Sequence, residues 1–194
     1  MNFLKSFIIT CTPVILGGIF NMIFTKTKFF KNHAKPIDMG RYFIDGKPIF
    51  GKNKTYLGFV SMVIFTAIAQ ILWGKLVVNI QCEEFGIFYA EYQNSLLNNL
   101  WIGALLGFSY MIFELPNSFI KRRLDIEEGT TKIEGVGKFF FVFDQIDSLL
   151  GIVIVMCLLT NQSLLTLMGF VLVGGIVHIS INYTLYKMNI RKNI

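Results

Sequence analysis

Asp144-Gln-Ile-Asp147 puts two carboxylates on one face of a helix, because residues three apart on a helix are surface neighbours. Left bare, they would repel each other. A divalent cation removes that repulsion, and Mg²⁺ is commonly held by one or two carboxylates while substrate phosphates and waters complete its shell. The competing reading is an ordinary pair facing water. Their place at the start of an apolar run favours a site, since ionisable groups at membrane depth are costly and tend to be functional. Glu114, just inside the end of another apolar run where a bare carboxylate is expensive, reads as a site residue, with a local salt bridge to Lys121 as its alternative.

Basic residues stand where a metal–phosphate centre would use them. Ser118-Phe-Ile-Lys121-Arg122-Arg123 follows one apolar run, and cations there can hold phosphate oxygens and stabilise the charge of a pyrophosphate leaving group. Positive residues flanking a membrane span are also expected for topology alone. An earlier segment contains Lys35-Pro-Ile-Asp38-Met-Gly40 and then Asp45-Gly46-Lys-Pro-Ile-Phe-Gly51-Lys52-Asn53-Lys54-Thr55-Tyr56-Leu-Gly58. Gly46 to Lys52 nearly fits G-x-x-x-x-G-K, but Asn53 stands where that motif needs Ser or Thr and an apolar span follows, so a P-loop NTPase is rejected. The glycine-punctuated loop can still cradle phosphate through backbone N–H groups and the ammoniums of Lys52 and Lys54, or be no more than a flexible basic loop. Asn21 reads as an inter-helix hydrogen bond or a ligand contact, His33 as a solvated loop histidine and His178 as a hydrogen-bonded bundle residue.

The elements that must position these groups are membrane spans. Of 194 residues, 54% are hydrophobic and only 15% charged, against about 25% charged in soluble domains. Apolar runs predict an all-α integral membrane protein with five transmembrane helices near 3–24, 57–80, 96–117, 141–160 and 164–186. The first carries no small-residue cleavage site and is expected to be retained. Gly17, Gly18, Gly103, Gly107, Gly174 and Gly175 would let these helices approach closely. Cys11, Cys82 and Cys157 show no ligand spacing and are assigned no chemistry.

Segment 25–56 holds Lys26, Lys28, Lys31, Lys35, Arg41, Lys47, Lys52 and Lys54 against Asp38 and Asp45. Segment 118–140 adds Lys121, Arg122, Arg123, Lys132 and Lys138, and the tail Lys187, Arg191 and Lys192, whereas 81–95 carries Glu83, Glu84 and Glu91 with no lysine or arginine. Positive-inside counting therefore places the N-terminus outside and the C-terminus in the cytoplasm, as an odd number of spans requires. Two long cytoplasmic loops, 25–56 and 118–140, would then close over one active site on the cytoplasmic face of the cell membrane. The net charge of +6 does not indicate nucleic acid, because the lysines sit between spans and form no basic stripe.

These strings together resemble the CDP-archaeol synthases, integral membrane CTP-dependent cytidylyltransferases related to the CDP-diacylglycerol synthases. The matching residues are Lys35-Pro-Ile-Asp38-x-Gly40, Asp45-Gly46-x-x-Ile-x-Gly51-x-Asn53-Lys54-Thr55-x-x-Gly58, Ser118-Phe-Ile-Lys121-Arg122-Arg123-Leu and Asp144-Gln-Ile-Asp147-x-x-x-Gly151, in the family's order. Departures are Tyr56 for Trp, Glu114 for Asp, Asn53 for the more usual Asp, and a longer segment 132–143. The resemblance implies five transmembrane helices and transfer of CMP from CTP to a phosphorylated glycerol lipid, 2,3-di-O-isoprenyl-glycerol phosphate or a similar lipid phosphate, with release of pyrophosphate in phospholipid biosynthesis. It implies Mg²⁺ on Asp144 and Asp147, with Glu114 a further candidate for the metal; Lys54, Lys121 and Arg122 on the triphosphate; and Asn21, Asp38, Gly51, Asn53, Thr55, Ser118 and Arg123 around the nucleotide. The different-class alternative is a small transporter or channel with a basic vestibule, which predicts polar residues near the midplane. A CDP-alcohol phosphotransferase would carry a longer aspartate signature than Asp144-Gln-Ile-Asp147-Ser148.

Overall fold

The computed structural model describes residues 3–128, 137–188 and 190. Its helices in chain order are α1 (Phe3–Phe24), the short α2 (Lys28–His33), α3 (Tyr56–Asn79), the short α4 (Ile87–Tyr92), α5 (Leu96–Arg123), α6 (Gly137–Leu159) and α7 (Leu164–Lys187). Five of them are long and apolar enough to cross a membrane, and the protein is a multi-pass membrane protein. Leu72, Leu158, Leu164, Leu165, Leu172 and Ile176 stand outward and exposed, which is where lipid tails replace a soluble protein's polar surface.

Side-chain caps define where three of the spans begin. Thr55 accepts from Gly58 N (3.1 Å) at α3, Ser95 from Asn98 N (3.2 Å) at α5, and Ser163 from Thr166 N (3.2 Å) at α7, each satisfying an amide that has no partner inside its helix. α3 packs between α1 and α5, α6 follows against α5, and α7 against α6. The α3–α5 contact depends on glycine: a Cβ at Gly103 would lie 2.7 Å from Ala67 Cα, and one at Gly107 2.8 Å from Val63 Cα. Without a hydrophobic driving force between helices in lipid, such close backbone contact supplies much of the packing energy. Gly18 differs, meeting only Met62 Cε at 4.0 Å.

α1 and α7, the two flanks of this arrangement, meet through aromatic rings at one end. Phe170 of α7 packs its ring against Phe3 at 5.6 Å and Phe7 at 5.3 Å. Beyond that aromatic contact a narrow slot of 80 Å³ runs between the two helices, lined on α1 by Phe7, Cys11, Val14, Ile15, Gly18, Ile19 and Met22, and on α7 by Gly174, Val177, His178, Ile181, Asn182 and Leu185. Both sets follow helical spacing, so each helix turns one continuous face to the slot.

The helix that carries the predicted span 96–117 is longer than that span. α5 continues to Arg123, and Pro116 does not end it; a proline removes one N–H from the ladder yet is tolerated in membrane helices. Lys121, Arg122 and Arg123 are good helix formers, and their charges suit a helix C-terminus. At 28 residues the helix is about 42 Å long at 1.5 Å per residue and overshoots a hydrocarbon layer of about 30 Å. α6 likewise begins at Gly137 rather than 141. The predicted loop 118–140 therefore reduces to 124–136, of which 129–136, with Lys132, lies outside the described residues, as do Arg191 and Lys192 of the tail. The side chain of Lys138 is also outside them.

Candidate active site

The C-terminal half of α5 carries Tyr110, Glu114, Asn117 and Lys121 at spacings of four, three and four, so these side chains share one face. Opposite stands α6 with Asp144 and Asp147. One amide joins the two carboxylates: Asn117 Nδ2 donates to Asp144 Oδ1 (2.7 Å) and to Asp147 Oδ2 (2.6 Å). Asp144 also receives Lys121 Nζ at 2.7 Å, and Asp147 accepts from Ser148 N at 2.6 Å. Glu114 pairs with Lys54 rather than with Lys121. The result is a network of alternating charge, Lys54–Glu114 beside Lys121–Asp144–Asn117–Asp147.

This network faces a two-lobed polar cleft. One lobe, of 660 Å³, is lined by Asn21, Lys26, Lys31, Lys52, Asn53, Lys54, Thr55 and Glu114 among others. The other, of 340 Å³, adds Asn117, Ser118, Lys121, Arg122, Glu128, Asp144 and His178. Cations outnumber carboxylates along these walls, and a cleft lined by one sign of charge concentrates ligands of the other. Of the predicted site residues, Asn21, Asn53, Lys54, Thr55, Ser118, Lys121, Arg122, Glu114 and Asp144 are brought to it. Asn21 Oδ1 also accepts from Ser61 Oγ (2.6 Å), so its inter-helix role is present too. Asp147 is 6% exposed and does not line the cleft; Asn117 stands in front of it.

Three residues expected at the nucleotide occupy other positions. Asp38 is buried and accepts from the backbone amides of Gly40, Phe50 and Gly51, all at 2.9 Å. Burial alone would raise its pKa, but these three hydrogen bonds outweigh it and hold the carboxyl below its ordinary value. The Gly51 amide is thereby committed to Asp38 and is not open to phosphate. Its φ of +98° is one that glycine adopts without strain, and a Cβ there would lie 2.6 Å from Glu128 Oε1. Arg123 braces the loop: it pairs with Asp45 at 2.6 Å, donates to the Pro48 carbonyl, and lies over Phe119 (4.5 Å) and Phe43 (5.2 Å). Lys47 adds bonds to the Arg123 carbonyl (2.9 Å) and Asp125 (2.7 Å). The turn around 41–49 is thus tied to the end of α5, which holds Asn53, Lys54 and Thr55 against the cleft.

Among the described residues no group of three or more His, Cys, Asp and Glu side chains could hold a metal. Asp144 and Asp147 nevertheless form a two-carboxylate set of the kind Mg²⁺ accepts when substrate phosphates supply the rest. Asn117 Oδ1 supports that fit, being buried without a hydrogen-bond partner. Turning the amide over would bring this oxygen to the place where its nitrogen now meets both carboxylates. Asn117 escaped the sequence reading because an amide next to a proline has no charge to draw notice; the spacing of Tyr110, Glu114 and Lys121 was the signal that could have found it. Lys26 and Glu128 were missed for lack of any motif.

The profile of the CarS-like family, CDP-archaeol synthase, matches residues 7–194. The chain belongs to that family. It is an enzyme of the cytidylyltransferase class. A CDP-archaeol synthase of Thermococcus onnurineus is 29% identical over 95% of this chain and 88% of its own length, and that of Archaeoglobus fulgidus 32% identical over 81% and 82%. The Pyrobaculum islandicum CDP-archaeol synthase is 27% identical over 99% and 98%. A solved structure of an intramembrane enzyme for archaeal membrane lipids biosynthesis superposes with a TM-score of 0.61 at 19% identity, covering 91% of this chain and 92% of the other. That likeness supports the five-helix fold; the family assignment rests on the sequence match.

Proposed function

We propose that this CDP-archaeol synthase family member transfers CMP from CTP to the phosphate of a di-ether isoprenoid glycerol lipid, at the cytoplasmic face of the cell membrane. The observation that carries the reading is the meeting of two environments. A cation-rich cleft with a carboxylate–amide cluster opens at Met22, Tyr110 and His178 into an apolar slot between α1 and α7. A triphosphate suits the first and a lipid chain the second.

In this mechanism an oxygen of the lipid phosphate attacks the α-phosphorus of CTP. A new P–O bond forms as the bond to the bridging oxygen of the β-phosphate breaks, and the electron pair leaves on pyrophosphate. No covalent enzyme intermediate is required. Asp144 and Asp147, with Asn117 turned to present its oxygen, would hold Mg²⁺. Bound there, the ion would supply charge neutralisation on the phosphate oxygens. Lys54, Lys121 and Arg122 neutralise the triphosphate and the departing pyrophosphate, while Asn53, Thr55 and Ser118 shape the nucleotide's surroundings. Catalysis rests on positioning and electrostatics. Asp38, Gly51 and Arg123 contribute by keeping the loop in place.

The transporter alternative is not favoured by the arrangement, since Lys54, Glu114, Lys121, Asp144 and Asp147 gather at one end of the bundle instead of marking a path through it. The test is to incubate purified protein with α-labelled CTP, Mg²⁺ and a panel of lipid phosphates. Label in the organic phase is expected, highest with the di-ether isoprenoid phosphate. No labelled lipid from any member of the panel, with ion flux in reconstituted vesicles, would overturn the reading.

A further inference from the structure

The loop between α2 and α3 contains a tight turn whose apolar side chains are left outside the fold. Phe43 N donates to the Lys47 carbonyl at 2.8 Å, Gly46 N to the Phe43 carbonyl at 3.0 Å, and Lys47 N to Asp45 Oδ1 at 3.0 Å. The turn is therefore held by its own hydrogen bonds. Yet Met39 is 60% exposed, Tyr42 68% and Ile44 93%. Single exposed apolar residues are ordinary, but such a group on one built turn marks a contact surface.

The turn lies beside α5 rather than beyond it. The Phe43 ring meets the Phe119 ring edge-on at 5.2 Å, and Arg123 holds both Asp45 and the Pro48 carbonyl, so the turn is fastened alongside the last residues of that helix. The neighbouring stripe of α5 faces lipid: Leu100, Phe108, Ile112, Pro116, Ile120 and Leu124, spaced by eight and then by fours, are all exposed. From Leu100 to Leu124 the stripe runs about 36 Å at 1.5 Å per residue. That exceeds a hydrocarbon layer of about 30 Å and falls within the roughly 40–45 Å of a bilayer with its headgroups. A stripe of that length ends at headgroup depth, and the turn is packed beside its end.

We propose that the turn 39–44 is a membrane-interface anchor, with Tyr42 and Ile44 set among headgroups and upper acyl chains and Arg41 on an anionic headgroup. Three observations name lipid as the occupant. The patch continues the lipid-facing stripe of α5 at Ile120 and Leu124. Tyrosine is a residue type that settles at membrane–water interfaces. Arg41 is exposed and forms no ion pair among the described residues, while Asp45, the carboxylate of the turn, is committed to Arg123. An unpaired cation at that depth is attracted to anionic lipid. The same loop carries Asn53, Lys54 and Thr55 to the cleft, so the bilayer would brace the cleft wall from one side as Arg123 braces it from α5. The anchor does not depend on which substrate the cleft takes.

The test uses the full chain in nanodiscs. Cys82→Ser and Cys157→Ser remove the two thiols that are not buried, and Ile44→Cys carries an environment-sensitive fluorophore; because Ile44 is exposed, the labelled protein keeps its fold. In discs of phosphatidylglycerol and phosphatidylcholine holding one copy each, the expected result is blue-shifted emission, quenching by spin labels on lipid headgroups and poor quenching by aqueous iodide. Arg41→Gln should lower the docked-to-undocked ratio about fivefold in these anionic discs, the loss of one cation's attraction to the surface, and leave it unchanged in phosphatidylcholine alone. Iodide quenching as free as that of the unattached dye, with no effect of headgroup spin labels, would overturn the anchor. Protection that appears only in discs holding two copies would overturn it too, assigning the patch to a second copy of the chain. An Arg41→Gln ratio equal to wild type in anionic discs would overturn the contact with anionic headgroups. The same label on Tyr42→Cys repeats the measurement at a second position.

Discussion

Replacing Asn117 with alanine tests the centre of the site more directly than removing either carboxylate. One amide nitrogen donates to Asp144 and Asp147 at 2.7 and 2.6 Å, and each such bond to a charged group contributes about 1.5–3 kcal/mol. Losing both removes about 3–6 kcal/mol of organisation from the pair. If that organisation is what turnover depends on, the rate falls by about 10² to 10⁴, at about 1.36 kcal/mol per tenfold. Alanine also lacks the amide oxygen proposed to join the two carboxylates at the ion, so the variant should also need more Mg²⁺ to reach half its own maximal rate. The assay is transfer of label from α-labelled CTP to the organic phase across a Mg²⁺ series, with thermal unfolding in detergent to confirm that the variant is folded. A folded Asn117→Ala protein with Mg²⁺-dependent turnover within about threefold of wild type would show that the amide does not organise the pair.

Asp147→Asn keeps an acceptor for the Ser148 amide and should leave the protein folded while abolishing turnover; substantial Mg²⁺-dependent activity would remove its metal role. Asp38→Asn loses a carboxylate that three amides stabilise. Because its folded pKa is depressed, its contribution is present above the ordinary value of about 3.9 and is lost as pH falls through the folded value. Wild type and variant should therefore differ in protease sensitivity of the 34–55 loop at pH 7 and converge in strong acid, and a gap that persisted there would contradict the assignment. Gly107→Leu forces α3 from α5 at Val63 and should destabilise by about 1–3 kcal/mol or more, as overpacking does; an unchanged unfolding midpoint in detergent would show the contact is not close.

The spans were legible because a membrane helix announces itself by length: a run of about 20 apolar residues has few other uses. Where α5 ends was not, because Pro116 looks like a terminator and Lys121 to Arg123 look like a loop, while a helix projecting from the bilayer accommodates both. Asp144 and Asp147 were legible by charge and spacing. Motif membership could not separate the residues that face the cleft from those that shape it. Asp38, Arg123 and Lys54 belong to the same strings, yet two of them brace a loop and one lines the cleft. That distinction depends on which backbone amides a carboxylate can reach, which is a property of the folded loop and not of its composition.

The slot between α1 and α7 was invisible for a further reason. Nothing within either helix marks it, since Cys11, Val14, Gly18, Gly174, Val177 and Ile181 would read the same in a sealed bundle. It exists because α1 reaches the others mainly through α3, and α7 mainly through α6, while at one end the flanking helices are joined by the edge-to-face and tilted contacts of Phe3 and Phe7 with Phe170. On the proposed reaction, a gap barred by aromatic rings at one end gives an entering lipid a direction. Its polar end would then be brought to the end of the bundle where α5 and α6 carry Lys121, Asp144 and Asn117, where the reacting phosphates could be held together while the apolar chains stay among helices.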